Sequence, residues 1–309
     1  GNSAYQAGNL TGAALGVEAI AGPGNRPVLV ALLAGLAAIA LLSGSYRRIE
    51  RLLIALVLLM ALAFSGSALL VRPDLSALVA GLVPRVPSGG LLTAVALIGT
   101  TIVPYNLFLH AAAARERWPA GDAAALSSAR ADSAACVGLG GLFSILILAT
   151  AAATVFGSGT GIAGGADLAR SIEPAFGSAA RWLVGAGLFA AGLTSAITAP
   201  LAAAYAVAEV AGRPRRGLLF RGVALAVLAV GTLVALLGLN PVRLILVAQV
   251  ANGVLLPVVA GFLLYTMNRG DLLGRHRNRL ASNLLGGLVL VVSVGLGLRL
   301  VLRALGLWP

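Results

Sequence analysis

A cluster of polar residues interrupts a long apolar stretch at residues 99–110, GTTIVPYNLFLH. Pro104 has no amide hydrogen, and its ring clashes with the carbonyl of Thr100 four residues earlier. Three further polar residues lie beside that break: Thr101, Tyr105 and Asn106. At membrane depth a broken helix is tolerated only against protein or a water-filled cavity, and many secondary transporters coordinate ions at such breaks. The pattern therefore indicates an ion-binding site, with a simple proline kink as the alternative.

The composition places this motif in a membrane protein. Hydrophobic residues make up 59% of the 309 residues, charged residues 10%, and the mean hydropathy is +0.98. A soluble domain of this length could not bury so much apolar surface. Apolar stretches long enough to cross a hydrocarbon core predict nine spans, at residues 4–21, 27–44, 51–72, 91–113, 134–156, 180–210, 219–239, 242–267 and 281–304.

The basic residues report topology rather than a nucleic-acid partner. The net charge is +12 and all 22 basic residues are arginines, most of them in the breaks between spans. Fourteen lie in the breaks after the second, fourth, sixth and eighth spans, which the positive-inside rule places in the cytoplasm. An odd number of spans that starts inside, in a chain opening at Gly1, leads us to expect an even number of further helices upstream. The single cysteine, Cys136, excludes an internal disulfide.

The motif resembles the sixth-helix signature of the Nramp divalent-metal transporters, Gly-Ala-Thr-x-Met-Pro-His-Asn-x-Tyr-Leu-His-Ser. The resemblance continues in order along the chain: NLTGAALGV at 9–17 is similar to the family's third helix, residues 192–209 to the eighth, and AQVANGVLLP at 248–257 to the tenth. On this alignment the nine spans resemble helices three to eleven.

The resemblance implies an all-α polytopic membrane protein with the LeuT-type inverted-repeat fold and the ion site between broken helices at the midplane. Residues 1–309 would form a single transmembrane domain. Within it, residues 1–72 would be the remainder of the first repeat, 91–267 the second repeat, and 281–304 an extra helix. On this alignment the two N-terminal helices of the family, with part of the site, would be absent from this chain.

The resemblance also assigns roles around the break, and the sequence departs from the family there. The carbonyl ligand of the sixth helix falls at Thr100, the metal-binding methionine at Val103, and the histidine after the proline at Tyr105. A thioether favours soft transition metals, whereas valine has no lone pair to offer. A site of carbonyls, hydroxyls and waters suits a hard cation such as Mg²⁺. The loss of the methionine is similar to the magnesium-transporting branch of the Nramp relatives, which also lacks it. We expect the side chains of Thr101 and Asn106 to take part in coordination.

The tenth-helix stretch supplies two further candidate ligands. Gln249 aligns with a glutamine that faces the ion site in the family, and Asn252 lies one turn away. Interhelical hydrogen bonding is the competing explanation for polar residues at these positions.

A second departure concerns protons. The family's third helix carries an Asp and a Glu that relay protons, and these positions fall at Gln6 and Asn9, whose amides do not titrate. His110 keeps the second histidine of the motif, either as a packing residue or as a proton acceptor. We expect Glu18 and Glu209 to stay hydrated near span ends.

These observations predict a transporter of divalent metal cations, favouring a hard cation such as Mg²⁺ and not coupled to protons. It would lie in a bacterial inner membrane, with the metal ion and the lipid bilayer as partners and neither nucleic acid nor a cofactor. The sequence contains no phosphate-binding glycine loop with a lysine, no His-Glu-x-x-His and no nucleophile beside a base, so we do not expect an enzyme.

The alternatives are a Mn²⁺/Fe²⁺ proton symporter, an amino-acid-type organic-solute transporter of the same fold, and a non-transporting truncated scaffold. The ion, the coupling and the oligomeric state stay open.

Overall fold

The computed structural model describes most of the chain, and every secondary-structure element in the described part is helical. The described residues are 2–43, 46–81, 83, 85, 89–101, 107, 110–111, 114–115, 117–118, 123–154, 165–170, 172–214, 217–238, 240–304 and 307.

Thirteen α-helices are described. In chain order they are α1 (Asn2–Ala21), α2 (Arg26–Ser43), α3 (Tyr46–Val71), α4 (Leu75–Ala80), α5 (Leu91–Thr101), α6 (Ala123–Thr154), α7 (Gly165–Arg170), α8 (Glu173–Phe176), α9 (Ala180–Val210), α10 (Leu218–Leu236), α11 (Pro241–Asn268), α12 (Gly270–Leu273) and α13 (Leu280–Ala304). Two short 3₁₀ turns are also described, at Gly177–Ala179 and Gly274–His276.

Five of the described helical segments are long and apolar enough to cross a membrane: Ala124–Ala153, Gly177–Val210, Leu218–Leu236, Leu246–Asn268 and Leu280–Arg299. Helices α1 and α2 pass the same test together, with a bend of 119° at the break between them. Large apolar side chains point outward along these helices, as at Leu233 (65% exposed) and Leu288 (61% exposed). Because lipid tails solvate such faces and water does not, the chain is an all-α polytopic membrane protein, as predicted.

The helix bounds agree with the predicted spans at most ends. Helix α3 begins at Tyr46 rather than at 51. Helix α9 coincides with the span predicted at 180–210. Helix α6 begins at Ala123 rather than at 134, because Arg130 and Asp132 on its first turns resemble a loop in sequence. Its 32 residues measure about 48 Å at 1.5 Å each, so it is longer than the apolar core of a bilayer. In the fourth predicted span, α5 covers 91–101 and only scattered residues are described beyond it.

The described residues form two compact units, of which the larger comprises residues 2–84 and 108–245. Its centre is the packing of α1 along α9, where glycines let the two backbones touch. A Cβ atom on Gly192 would lie 2.4 Å from the amide nitrogen of Ala13, and one on Gly16 would lie 2.4 Å from that of Phe189. Helices α2 and α10 complete the core around Leu10, Val30, Leu193 and Ile197. Close approach of small residues is the usual way in which membrane helices associate.

The smaller unit comprises residues 85–107 and 246–309. Helices α11 and α13 form an antiparallel hairpin in which Asn268 bonds to Asn283 and Gly286 lies against Leu264. Helix α5 packs on α13 and also meets α11 at a glycine.

Candidate metal-transport site

Helix α5 carries the start of the polar motif. Thr100 and Thr101 are the last residues of the helix as described, and their side chains lie outside the described residues. Four other predicted site residues lie wholly outside the described part of the chain: Val103, Pro104, Tyr105 and Asn106. The geometry of the helix break therefore stays a prediction from the sequence.

The backbones of helices α11 and α5 lie in close contact. A Cβ atom on Gly253 would lie 2.5 Å from the carbonyl oxygen of Val95. Gln249 lies one turn before Gly253 in α11, and Thr100 follows Val95 by five residues in α5. The structure thus brings together the two helices that carry these predicted ligands. The side chain of Asn252 lies outside the described residues.

Gln249 carries a buried side-chain oxygen. Its Oε1 atom accepts no hydrogen bond from the residues that the structure describes. A buried carbonyl oxygen left unpaired costs about 1–3 kcal/mol, so a partner at this position would be stabilising. Among the described residues, no group of three or more His, Cys, Asp or Glu side chains could hold a metal. The predicted ligands in this unit would bind through oxygen atoms, which suit hard cations.

Gln6, which the resemblance aligns with a proton-relay position, donates a hydrogen bond to another helix. Gln6 is completely buried, and its Nε2 donates to the carbonyl oxygen of Ala196 in α9 at 2.9 Å. Pro200 lies inside α9 four residues later and cannot supply the amide that would normally bond that carbonyl. Gln6 therefore satisfies the backbone group that Pro200 leaves free. Gly231 of α10 packs directly against Gln6, since a Cβ atom on Gly231 would lie 2.4 Å from the Cβ of Gln6.

Helix α1 carries two further side-chain amides near Gln6, those of Asn2 and Asn9. The Nδ2 of Asn2 donates to the carbonyl oxygen of Ala199 at 2.9 Å, so two amides from α1 bond to α9 around Pro200. The Nδ2 of Asn9, one turn after Gln6, is buried and has no hydrogen-bond partner among the described residues. Two of the three described α1 amides therefore bind the backbone of α9.

His110 has a side-chain partner on another helix. Its Nε2 lies 3.1 Å from the hydroxyl oxygen of Ser133 in α6, and the histidine itself is exposed. This hydrogen bond is compatible with both roles left open for His110, packing residue and proton acceptor.

The two glutamates near span ends are paired with arginines. Glu18 accepts from Arg26 through both carboxylate oxygens, at 2.9 and 2.6 Å, across the bend between α1 and α2. Its side chain is only 10% exposed, so the expectation of a hydrated carboxylate was wrong for Glu18. The bidentate guanidinium pair compensates for the lost hydration. Glu209 bonds to Arg115 at 2.9 Å and is 55% exposed, which agrees with a hydrated position.

The sequence comparisons agree with the arrangement of the helices. The family model "Natural resistance-associated macrophage protein-like", Nramp, matches residues 1–303. The chain belongs to the Nramp family. It is 30% identical over 266 residues to the "Divalent metal cation transporter MntH" of Deinococcus radiodurans, covering 84% of this chain and 60% of that protein. The proteins of the same name in Burkholderia ambifaria and Klebsiella pneumoniae are 27% and 29% identical, over 90% and 80% of this chain and 64% and 60% of those proteins.

The Nramp assignment confirms the resemblance inferred from the motif, and with the apolar helices it makes this a multi-pass protein of a bacterial inner membrane. The chain spans about three fifths of the length of these relatives.

Two polar contacts were missed by the sequence reasoning. The contact of Gln6 with Ala196 could have been suspected, because Pro200 within an apolar span must leave a carbonyl that needs a donor. The pair of Glu18 and Arg26 had a local signal, since opposite charges flank the turn AGPGN at 21–25.

Proposed function

We propose that this Nramp protein carries a divalent metal cation across the inner membrane, that it favours a hard cation such as Mg²⁺, and that transport is not coupled to protons. Support for the cation comes from the family match over residues 1–303 and from relatives that are named divalent metal cation transporters. Thr100, Thr101, Asn106 and Gln249 would coordinate the ion, with waters completing the shell.

The preference for a hard cation rests on the donor set. Val103 takes the position of the soft methionine ligand and contributes no lone pair. The unpaired Oε1 of Gln249 is a hard oxygen donor in a buried setting. Hard oxygen donors and retained waters match the coordination chemistry of Mg²⁺ better than that of Mn²⁺ or Fe²⁺.

The absence of proton coupling is carried by one observation, the buried bond from Gln6 to the carbonyl of Ala196. A residue that relays a proton must change its protonation state, and an amide does not. Asn9 presents a second amide on the same face of α1. Both relay positions are thus held by groups that neither bind nor release protons near neutral pH.

A Mn²⁺/Fe²⁺ proton symporter is the second candidate. It is favoured by His110, which keeps an imidazole ring in the motif. On that alternative His110 would accept the proton in place of the missing carboxylates.

Uptake by proteoliposomes containing the complete gene product separates these candidates. We expect Mg²⁺ to enter faster than Mn²⁺ at equal concentrations, measured with a dye for each metal inside the vesicles. Uptake of Mn²⁺ without Mg²⁺ would support the symporter. No uptake of either ion would turn the proposal toward an organic solute or a scaffold. A Gln249→Leu variant, which removes the unpaired oxygen, should reduce Mg²⁺ uptake about 10-fold or more, the size of effect that changes around a metal commonly have.

A further inference from the structure

Asparagine side chains form hydrogen bonds between the two ends of the turn that joins α11 and α13. Asn268 and Asn283 exchange two hydrogen bonds, Nδ2 to Oδ1 in each direction, at 2.8 and 2.7 Å. Asn278 donates from its side chain to Asn283 at 3.1 Å and from its backbone to the carbonyl of Met267 at 2.9 Å. These bonds join the two ends of the turn at 269–279 at the end of the hairpin.

This turn presents three arginines without ion-pair partners in the described structure: Arg275, Arg277 and Arg279, all of them exposed. Arg269 differs, because it is paired with Asp271 and donates to the Tyr265 hydroxyl at 3.1 Å. The Arg269 guanidinium holds the pKa of the Asp271 carboxyl below its ordinary value. Asp271 is the only acidic residue in the sequence from 246 to 309. The turn thus carries an excess of positive charge.

An apolar stripe starts directly after the arginines. Leu280, Leu284 and Leu288 lie one turn apart on α13 and are 75%, 65% and 61% exposed. Residues at this spacing share one face of a helix. The chain therefore places three exposed arginines directly before an exposed leucine stripe.

We propose that this turn is a binding site for an anionic phospholipid. The phosphate of the head group would bind Arg275, Arg277 and Arg279, and an acyl chain would lie along Leu280, Leu284 and Leu288. Guanidinium groups form strong charge-assisted bonds with phosphate oxygens. The positive-inside rule puts this turn on the cytoplasmic side, where anionic lipid attracts basic segments. A soluble phosphate would use the arginines alone, whereas a lipid also explains the stripe that continues from them.

Native mass spectrometry of the detergent-solubilised full-length protein tests this site, with dioleoyl phosphatidylglycerol and phosphatidylcholine as probes. We expect the wild type to retain phosphatidylglycerol preferentially. The triple variant Arg275→Gln, Arg277→Gln, Arg279→Gln should lose roughly fivefold in binding for each arginine. Asp271→Asn should bind several-fold more tightly, because it removes a negative charge and releases Arg269.

A matched control removes the same charge elsewhere. Arg72→Gln, Arg85→Gln, Arg181→Gln changes three exposed arginines that the positive-inside rule places outside, and it should leave lipid retention unchanged. Equal losses in the two triple variants would overturn the proposal, because binding would then follow net charge. Displacement of the lipid by inorganic phosphate at matched ionic strength, or equal retention of phosphatidylcholine, would also overturn it. The lipid test does not depend on which ion is transported.

Discussion

The side chain of Gln6 links the proton chemistry of this protein to the packing of its helices. In the larger unit it donates to a carbonyl that Pro200 leaves without a partner in α9. A carboxyl group at this position could donate that bond only when protonated, whereas an amide donates at every pH. One of the two residues that depart from the proton-relay pattern implied by the resemblance therefore bonds the backbone of α9.

A double-mutant cycle tests this link. Gln6→Leu leaves the Ala196 carbonyl buried and unpaired, so we expect the free energy of unfolding to fall by about 1–3 kcal/mol. In a Pro200→Ala background the amide of residue 200 returns, and the same Gln6→Leu change should cost less. Thermal unfolding in detergent, with all four proteins compared, measures the coupling. Additive effects would show that Gln6 does not serve the carbonyl freed by Pro200.

Val103 permits a direct test of the hard-ion preference. Val103→Met restores a thioether where the resemblance places the family's soft ligand, so uptake should shift toward Mn²⁺ relative to Mg²⁺ by about 10-fold or more. Uptake of each ion alone and of both in competition gives the ratio. Val258→Met is the control, since Val258 is 70% exposed on α11. An unchanged ratio in Val103→Met would mean that this position does not face the ion.

At the scale of helices, the packing of α1 on α9 depends on glycines at defined places. Gly192→Ala would put a methyl group 2.4 Å from the Ala13 backbone nitrogen and force the helices apart. We expect this change to lower the unfolding free energy by about 1–3 kcal/mol. Gly12→Ala in α1 meets no atom within 4 Å and should instead stabilise the helix by about 0.5–1 kcal/mol. Thermal melting of the two variants gives the comparison, and similar melting temperatures would contradict a close contact at Gly192.

The helices themselves were largely predictable, and their pairing was not. Helices α9, α10, α11 and α13 lie within three residues of their predicted spans at every end, because a membrane requires uninterrupted apolar stretches and arginines mark the breaks. The start of α6 was predicted too late, because the charged residues Arg130 and Asp132 are typical of a loop between spans but lie within the helix. The contact of Gln6 with Ala196 joins residues 190 positions apart, and no local pattern specifies which helix covers a freed carbonyl. The resemblance aligned Gln6 and Asn9 with the family's relay positions, but only the structure shows that their amide atoms are buried.

The helix break at Pro104 stays a prediction from the sequence. Its two threonines end the described part of α5, and its other residues lie outside the described part. What the structure adds is the approach of α11, with Gly253 against Val95 and an unpaired oxygen on Gln249.

On the scale of the whole molecule, three features of the chain bear on its function. The chain is an inner-membrane Nramp protein that spans about three fifths of its curated relatives. Gln6 and Asn9, which the resemblance aligns with proton-relay positions, carry buried amide atoms in the larger unit, and the basic turn at 269–279 carries arginines beside an exposed leucine stripe. The first feature supports cation transport, the second supports the proposed lack of proton coupling, and the third fits an anionic leaflet.

The measurement that tests the central claim most directly follows metal and proton fluxes together. The complete gene product in liposomes is given an inward Mg²⁺ gradient, with a Mg²⁺ dye and a pH dye inside the same vesicles. We predict that Mg²⁺ enters without acidification of the lumen, and that an imposed pH gradient does not change its rate. Acidification in step with metal entry would contradict the account, because protons would then cross without a titratable residue at Gln6 or Asn9.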